Sequence, residues 1–377
     1  KTFYNAKGQV SRSQYRQSTT RPLEITTYSY DLLGRMVSSQ QSGGYTHRST
    51  YKYDNMDNLI QQFIYMDSET WLLGNQYTYG KDNLLTKVSQ GAVTHEFTYD
   101  SLNRVTQEKL GNDGTTDKIT VDYAYTPGAN GSTTTLVSSM TFKRNGVQFD
   151  KWEYAYDKAG NISQVKRNGK LAATYYYDAL GQLVMEKDAA AGVTNEFTYD
   201  QGGNLTQKKQ TPSSGGSAVT ARYTYGNSKW KDLLTAYNGQ AITYDAIGNP
   251  LTYRDGMTLS WERGRQLSSL QTGGKLVNYE YDSDRQRTKK VVAGAETKFY
   301  WDDRGVMTQQ DMPDGKSLWF YSNPDGSIGS LNYEYIRYTL VKDLQGNVIG
   351  LADKNGNLAA KYTYDAWGNI LSVTDGQ

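Results

Sequence analysis

The residues of this sequence with the clearest chemical potential are aspartates that recur after tyrosine, as in Tyr177-Asp178 and Tyr364-Asp365. Carboxylates act as general acids and bases when their surroundings push their pKa values apart. An aspartate that leaves a β-strand also accepts a hydrogen bond from the backbone two residues on, which begins a turn. Because these aspartates recur along the whole chain, we interpret them as turn formers and expect no catalytic residue among them.

Other reactive side chains are scarce. The 377 residues include no cysteine and two histidines, His47 and His95. This composition excludes disulfides, thiolate metal sites and cysteine nucleophiles, and the sequence has no H-E-x-x-H zinc motif. Both histidines lie in strand-like sequence, where we expect ordinary surface or interface roles. No nucleophile, base and orienting partner stand at a recognisable spacing, so we expect neither an enzyme nor a cofactor.

One segment, Asp353-Lys-Asn-Gly-Asn357, is similar to the start of a calcium-binding loop. A calcium loop of the EF-hand type requires glycine at its sixth position and a bidentate glutamate at its twelfth. Here Gly356 is fourth, and Tyr364 stands where the glutamate is required. We therefore expect no metal site.

Basic and aromatic residues interleave at Lys289-Lys290 with Phe299-Tyr300, and at Lys208-Lys209 with Tyr223 and Tyr225. Such surfaces bind single-stranded nucleic acid or sulfated sugars. However, 41 basic against 39 acidic residues give a net charge of +2, too small for a general nucleic-acid footprint. Lysines on strand faces also discourage association between sheets. We expect solvated strand faces here and no nucleic-acid partner.

The composition favours an all-β fold. There are 33 tyrosines and 37 glycines but six prolines, and mean hydropathy is −0.75. Tyrosine and threonine favour strands, whereas disordered chains are poor in aromatic residues. No stretch approaches the roughly 20 apolar residues of a membrane helix, so we expect no membrane span.

One pattern, Y-x-Y-D-x-x-G-N followed by a hydrophobic residue, repeats along the chain. The two tyrosines share a strand face because side chains alternate with period two, and glycine supplies the positive φ of a tight turn. Each unit therefore predicts a strand, a turn and a strand. The structural signature is clearest in six copies: Tyr30, Asp31, Gly34; Tyr156, Asp157, Gly160; Tyr177, Asp178, Gly181; Tyr199, Asp200, Gly203; Tyr244, Asp245, Gly248; and Tyr364, Asp365, Gly368.

Weaker copies fill the gaps between these six. Asp57 and Asn103 stand at the glycine position, and both residue types tolerate positive φ. Arg285 at the same position is not explained in this way. With the weaker copies included, we identify about 17 units and treat residues 1–377 as a single repeat region.

Seventeen two-stranded units predict about 34 strands and roughly 160 Å of sheet, at about 4.8 Å per strand. Twisted sheets seldom exceed about ten strands without curling or splitting. We therefore expect a long antiparallel sheet of tandem hairpins, curled or spiralled into a hollow shell or barrel, or forming part of one. Stacked tyrosines on neighbouring strands would stabilise it.

The repeat resembles the YD-repeat, or Rhs (rearrangement hotspot), family. The segments Trp261–Leu267 and Asp343–Leu371 strengthen this resemblance. The family includes bacterial polymorphic toxins, the C components of insecticidal toxin complexes, and animal teneurins. The resemblance implies a hairpin ribbon wound into a hollow shell that encloses a C-terminal toxin of the same polypeptide. It also implies a bacterial protein that is secreted or displayed on the cell surface.

In toxin members the repeats are followed by a core with an Asp-Pro-x-Gly motif, whose aspartates release the toxin by self-cleavage. The present sequence stops at Thr374-Asp-Gly-Gln377, where that core would begin, and Asn323-Pro-Asp-Gly326 fits an ordinary turn. We therefore expect the core and toxin to be absent from this chain. The leading hypothesis is a structural scaffold that encloses and protects the toxin until delivery.

An alternative function is an extracellular carbohydrate-binding or adhesion module that uses exposed aromatic residues. A sheet that does not close would also leave unpaired edge strands, which favour self-association. The sequence leaves both open.

Overall fold

The computed structural model describes residues 1–16, 22–43, 46–66, 71–112 and 118–375. This part of the chain consists almost entirely of β-strands and turns, with a single 3-10 turn at Ala129–Gly131. No helix within it has the length and apolar character needed to cross a membrane.

The described residues form 34 strands, numbered here in chain order. The first 21 belong to one sheet. They are β1 (Thr2–Tyr4), β2 (Val10–Tyr15), β3 (Glu24–Tyr30), β4 (Met36–Ser42), β5 (His47–Tyr53), β6 (Leu59–Met66), β7 (Trp71–Tyr79), β8 (Leu85–Gln90), β9 (Val93–Tyr99), β10 (Val105–Asn112), β11 (Ile119–Pro127), β12 (Thr133–Arg144), β13 (Val147–Tyr156), β14 (Ile162–Arg167), β15 (Lys170–Tyr177), β16 (Leu183–Asp188), β17 (Val193–Tyr199), β18 (Leu205–Pro212), β19 (Val219–Thr224), β20 (Ala236–Tyr237) and β21 (Gln240–Ala241).

The remaining 13 strands form a second sheet. They are β22 (Thr252–Tyr253), β23 (Met257–Glu262), β24 (Gln266–Thr272), β25 (Lys275–Tyr281), β26 (Arg287–Val292), β27 (Ala295–Trp301), β28 (Met307–Asp311), β29 (Ser317–Ser322), β30 (Ile328–Tyr333), β31 (Ile336–Lys342), β32 (Val348–Ala352), β33 (Leu358–Tyr364) and β34 (Ile370–Asp375).

The strands pair antiparallel with their neighbours in the chain. In β15 and β16, for example, Tyr176 pairs with Met185 and Tyr177 pairs with Leu183, so the register shifts just before the signature tyrosine. The all-β, antiparallel hairpin fold predicted from the repeat is confirmed, although the strands divide between two sheets. Within the described residues neither sheet closes on itself, because β1 pairs with β2 alone and β34 with β33 alone.

The chain divides into two compact units. Unit 1 comprises Lys1–Val121, Arg144–Val147 and Tyr279–Gln377, and unit 2 comprises Asp122–Lys143 and Gln148–Asn278. The Y-x-Y-D signature occurs in both units, so they share one kind of building block. The assignment of residues 1–377 to a single repeat region stays a prediction.

The core of unit 1 joins strands that lie far apart in the sequence. Tyr51, Leu59, Tyr77 and Val88 form one buried cluster within β5–β8. A second cluster contains Ile64, Leu73 and Tyr321. Burial of each such side chain contributes roughly 1.5–3 kcal/mol, so Tyr321 helps to hold the C-terminal strands of the unit against its N-terminal strands.

The core of unit 2 is smaller and centres on the long hairpin of β12 and β13. Phe142 and Met140 are 0% and 1% exposed. The ring of Phe149 lies 6.2 Å from that of Phe142. Val165 and Phe197 extend this buried face along β14 and β17.

Candidate functional site

The repeated aspartate closes a five-residue turn, here called the YD turn, that runs from the aspartate to the residue four positions later. At Asp178 the backbone N–H of Asp178 donates to the carbonyl of Gln182 at 3.0 Å, and the N–H of Gly181 donates back to the carbonyl of Asp178 at 3.1 Å. The N–H groups of Leu180 and Gln182 both donate to Asp178 Oδ1 at 2.9 Å. The same pair of bonds to the carboxylate is present at Asp54, Asp100, Asp157, Asp200, Asp245, Asp282, Asp302, Asp343, Asp353 and Asp365.

The fourth residue of the YD turn adopts a left-handed conformation. Gly181 has φ of 77°, and the non-glycine residues Asp57, Asn103 and Arg285 have φ of 65°, 61° and 67°. Arg285 donates its N–H to the carbonyl of Asp282 at 3.3 Å, so this copy, which the sequence left unexplained, forms the same turn. The other signature glycines have φ of 80° to 89°: Gly34, Gly160, Gly203, Gly248 and Gly368.

Asparagine after the turn glycine has a defined role. Asn161 Nδ2 donates to Asp157 Oδ2 at 3.0 Å. This side-chain bond, together with backbone N–H donors, lowers the pKa of the Asp157 carboxyl. Asn204 lowers the pKa of Asp200 in the same way. A carboxylate held ionised by hydrogen bonds serves as an acceptor and is poorly suited to donate a proton near neutral pH.

The tyrosine that precedes most of these aspartates joins one repeat to an earlier one. The hydroxyl of Tyr177 donates to the carbonyl of Ile162 at 2.9 Å, and Ile162 lies five residues after Asp157, the aspartate of the preceding YD turn. Equivalent bonds run from Tyr30 to Val10, Tyr53 to Met36, Tyr79 to Leu59, Tyr99 to Leu85, Tyr199 to Leu183, Tyr225 to Leu205 and Tyr364 to Val348.

Tryptophan makes the same bond in two repeats. Trp261 Nε1 donates to the carbonyl of Pro250 at 2.7 Å, and Trp301 Nε1 donates to that of Arg287 at 2.9 Å. The signature position therefore requires a large ring with a donor at its far end. Sequence reasoning assigned the tyrosines to stacking and missed this bond. The signal available in the sequence was tryptophan in place of tyrosine at Trp261 and Trp301, because both side chains carry a hydrogen-bond donor on the ring.

One copy of the repeat, Trp301-Asp-Asp-Arg-Gly305, adds a buried polar cluster to unit 1. The side chain of Asp302 is 0% exposed and pairs with Arg304 at 3.0 Å. Gln62 Nε2 donates to Asp302 Oδ2 at 2.8 Å. Arg304 also donates to Gln62 Oε1 and Ser322 Oγ, each at 3.0 Å. Since Gln62 and Asp302 are 240 positions apart, this turn fastens the C-terminal strands of the unit to its N-terminal strands.

The next residue, Asp303, extends the same contact. Its Oδ2 accepts a hydrogen bond from the hydroxyl of Tyr51 at 3.0 Å and another from the hydroxyl of Ser39. Tyr51 and Ser39 are 3% and 1% exposed, so this carboxylate accepts from two buried hydroxyls.

Beside Asp303 lies a polar cavity of about 250 Å³, whose lining includes Asp282, Asp284 and His47. Burial raises the pKa of Asp282 to about 6, and Asp284 adds to this effect. Burial, with a contribution from Asp282, raises the pKa of Glu24 to about 7. The cavity therefore concentrates negative charge, although no three His, Cys, Asp or Glu side chains in the described residues are arranged to hold a metal ion.

Both histidines are buried inside unit 1, because their strands pack against the C-terminal strands of the unit. His47 is 4% exposed and His95 is 2% exposed. Burial lowers the pKa of both, that of His95 to about 4, with Arg337 and Lys342 adding to the effect. Of the expected surface or interface roles, the surface role is therefore wrong.

The segment considered as a calcium loop is another YD turn. The N–H of Asn355 donates to Asp353 Oδ1 at 2.8 Å, and that of Asn357 at 2.9 Å. Gly356 has φ of 78°. The carboxylate oxygen Oδ1 is thus occupied by backbone donors.

One lysine of each basic–aromatic segment lies next to carboxylates on neighbouring strands. Lys289 Nζ is 3.5 Å from Glu280 and 3.4 Å from Glu296. Lys209 Nζ is 2.8 Å from Glu196. These are cross-strand ion pairs on sheet faces.

The fold and these bonds define a class of protein: a tandem β-hairpin scaffold in which aspartates build the turns and tyrosines bind each repeat to an earlier one. The chain belongs to the Teneurin YD-shell family, whose model matches residues 130–375. The family resemblance found in the sequence is thereby confirmed.

Related proteins include bacterial toxins. The chain is 27% identical over 312 residues to the tRNA nuclease WapA of Bacillus subtilis (strain 168), covering 80% of this chain and 13% of the relative. It is 23% identical over 394 residues to double-stranded DNA deaminase toxin A of Burkholderia cenocepacia (strain H111), covering 94% and 25%. It is 26% identical over 315 residues to the toxin protein Tse5 of Pseudomonas aeruginosa, covering 73% and 23%. The chain thus spans a quarter or less of each relative.

Among solved structures, the chain is similar to TcdB2-TccC3 without its hypervariable C-terminal region. The TM-score is 0.60 at 14% identity, over 99% of this chain and 24% of the other. A complex titled TcdB2-TccC3-Cdc42 gives a TM-score of 0.58 at 15% identity, over 99% and 20%. At these identities the likeness concerns the fold.

Proposed function

We propose that this chain is a non-enzymatic scaffold that forms part of the wall of a shell around a C-terminal toxin of the same polypeptide. The observation that carries the proposal is the bonding of the repeats. The recurring aspartates are engaged in turns, and most of the aromatic residues that precede them are engaged in bonds between repeats, so the repetition serves construction. The toxin relatives, each much longer than this chain, support the presence of a cargo.

In this proposal the scaffold acts by enclosure. The wall keeps the toxin away from proteases and from its target until delivery, and the protein acts after secretion from a bacterial cell. Each tyrosine bond between repeats contributes about 0.5–1.5 kcal/mol. Because these bonds recur along the array, they add up to resistance against local opening, which a container requires.

Limited proteolysis of the full-length parent polypeptide tests this proposal. Peptides from the region C-terminal to Gln377 are followed by mass spectrometry, with the same region expressed alone as the reference. We expect digestion at least about tenfold slower in the full-length chain, since cleavage requires the wall to open. Equal rates in the two polypeptides would rule out enclosure.

A set of variants tests whether protection of the C-terminal region depends on the bonds between repeats. The triple variant Tyr177→Phe, Tyr199→Phe and Tyr225→Phe removes three bonds between repeats and should accelerate digestion of the C-terminal region. The matched control is Tyr176→Phe, because Tyr176 lies on the opposite strand face and is 45% exposed. A control as sensitive to protease as the triple variant would contradict the assignment of the bonds.

Carbohydrate binding is a second candidate, favoured by one surface of unit 2. A shallow depression of about 430 Å³ is lined by Tyr175–Tyr177, Gln164 and Asp157. The exposed ring of Tyr176, beside amide and carboxylate groups, suits the apolar faces and hydroxyls of sugars. A glycan array tests it, with Tyr176→Ala expected to abolish any binding; absence of reproducible binding by the intact chain would dismiss it.

A further inference from the structure

A row of buried polar atoms without hydrogen-bond partners crosses three strands of unit 1. Trp319 on β29 pairs with Asn332 on β30, which pairs with Arg337 on β31. The donors Trp319 Nε1 and Arg337 Nε and the acceptor Asn332 Oδ1 are all buried and have no hydrogen-bond partner among the described residues. Because such groups cost free energy when unsatisfied, a concentration of them indicates a missing partner.

Strands β8 and β9 supply two further groups to the same place. Gln90 and His95 are 1% and 2% exposed, and within the part of the chain that the structure describes Gln90 Nε2 and His95 Nε2 have no hydrogen-bond partner either. Gln90 Oε1 accepts from Ser330 Oγ at 2.5 Å and lies 3.4 Å from Arg337 Nη1. Arg337 Nη1 lies 3.3 Å from Ser330 Oγ. The Gln90, Ser330 and Arg337 side chains therefore converge.

The charge of this place is positive and uncompensated. The guanidinium of Arg337 lies 3.4 Å from the centre of the Tyr321 ring. Arg337 makes no ion pair with a carboxylate among the described residues. Burial lowers its pKa, and Tyr321 opposes that effect. Arg304 in the neighbouring cluster instead pairs with Asp302. A half-buried cation is costly unless an anion neutralises it.

We propose that Arg337, Gln90 and Ser330 form a binding site for a small oxyanion, with inorganic phosphate or sulfate as the fitting chemistry. The planar guanidinium presents a fork of N–H donors that matches two oxygens of such an ion. Gln90 Nε2 supplies a neutral donor beside it. Water would satisfy the donors Arg337 Nε and Gln90 Nε2 but leave the guanidinium charge unmatched, whereas an oxyanion accepts from both donors and matches the charge.

The site is independent of the scaffold proposal, because it involves neither the YD turns nor the tyrosine bonds between repeats. An ion bound here would touch strands from the N-terminal and C-terminal segments of unit 1. It would therefore stabilise the packing between those two segments by binding the folded unit alone.

Isothermal titration of the chain with sodium phosphate at constant ionic strength tests the site, with parallel titrations of sulfate and acetate. We expect saturable phosphate and sulfate binding that Arg337→Gln weakens at least about tenfold. Preference for acetate would assign the site to carboxylates and overturn the inorganic assignment. No saturable binding below about 10 mM phosphate would mean that water fills the place, and would overturn the site altogether.

The matched control is Arg12→Gln. Arg12 also stacks on an aromatic ring, at 4.2 Å from the centre of Phe3, but it is exposed. Phosphate binding should be unchanged in this variant. Equal weakening by Arg12→Gln and Arg337→Gln would show a general charge effect and contradict the site.

Two further measurements cover the case in which Arg337→Gln does not fold. Gln90→Met keeps the approximate shape of the side chain but removes its donor, and it should also weaken phosphate binding. In the intact chain, phosphate should raise the pKa of His95 from about 4, as followed by imidazole NMR shifts, because an anion offsets the neighbouring cations. A His95 pKa unmoved by saturating phosphate would place the ion elsewhere.

Discussion

The indole nitrogen of Trp301 lies 2.9 Å from the carbonyl oxygen of Arg287. This bond is the equivalent, in its own repeat, of the bond that the Tyr177 hydroxyl donates to the carbonyl of Ile162. Two chemically different rings thus deliver a donor to equivalent carbonyls in different repeats. Phenylalanine has no such donor. The reach of the ring and the polar atom at its end together explain why tyrosine dominates this position.

We expect Tyr177→Phe to lower the free energy of unfolding by about 1 kcal/mol, because the Ile162 carbonyl loses its donor while the ring still packs. Urea denaturation measures the change. Tyr176→Phe, on the adjacent exposed position, should have almost no effect. A loss of similar size in both variants would mean that the Tyr177 hydroxyl contributes nothing specific.

Alanine at two turn glycines should have unequal effects. A Cβ at Gly181 meets no atom within 4 Å, so Gly181→Ala should cost about 1–2 kcal/mol through its left-handed backbone alone. A Cβ at Gly248 would lie 2.5 Å from the Trp230 ring, so Gly248→Ala should cost more. Thermal unfolding of both variants measures the difference, and a smaller loss at Gly248 would show that Trp230 moves aside freely.

We expect Arg304→Met to destabilise unit 1 by about 3–5 kcal/mol, because it leaves the fully buried Asp302 carboxylate without its cation. Arg35→Met is the comparison. Arg35 pairs with the partly exposed Asp31 and the exposed Asp57, so this variant should cost much less than Arg304→Met. Urea denaturation distinguishes them, and equal losses would refute the structural role of the buried pair.

Asp282→Asn should stabilise the protein at pH 7.5 and leave it unchanged at pH 4. Burial raises the folded pKa of Asp282 from 3.8 to about 6, so its contribution to stability is full below pH 3.8 and is lost as the pH rises through 6. Asparagine carries no charge to desolvate and keeps the turn, as Asn5 shows by accepting the N–H groups of Lys7 and Gln9.

Melting temperatures of wild type and Asp282→Asn across pH 4 to 7.5 measure this effect. Asp157→Asn is the matched control, because Asp157 accepts the same pair of turn bonds but hydrogen bonds hold the pKa of its carboxyl below the usual value, so it stays ionised across this pH range. Its effect should not grow with pH. A pH-independent difference for Asp282→Asn would show that its carboxyl titrates normally.

The sequence was sufficient to predict the architecture because the determinants of a hairpin are local. Strand-forming Tyr-x-Tyr, turn-forming aspartate and left-handed glycine lie within a few residues of one another. Seventeen such units predicted about 34 strands, and the described residues form 34. Arg285 shows the limit of this reasoning. The N–H groups of Arg285 and Gln286 donate to Asp282, and these bonds hold Arg285 in a left-handed conformation that its residue type disfavours.

The packing inside unit 1 could not be predicted, because it joins strands about 240 residues apart. Nothing local to His95 indicates that Arg337 lies near it, and nothing local to Asp303 indicates that Tyr51 donates to it. The double aspartate in Trp301-Asp-Asp-Arg-Gly305 departs from the repeat consensus. Such departures mark repeats whose side chains bond to distant strands as well as to neighbouring repeats.

Most signature tyrosines donate to a carbonyl that lies just after an earlier YD turn, and this bond has an evolutionary consequence. Since a repeat is fastened mainly to those beside it, adding or deleting one changes the energy of the array by a nearly constant increment. The length of such an array is then free to vary by gene duplication without redesign of the existing copies. Repeats such as Trp301–Gly305 also bind distant strands, so a repeat inserted or deleted beside them would disturb those contacts. Such repeats would limit where the array can gain or lose copies.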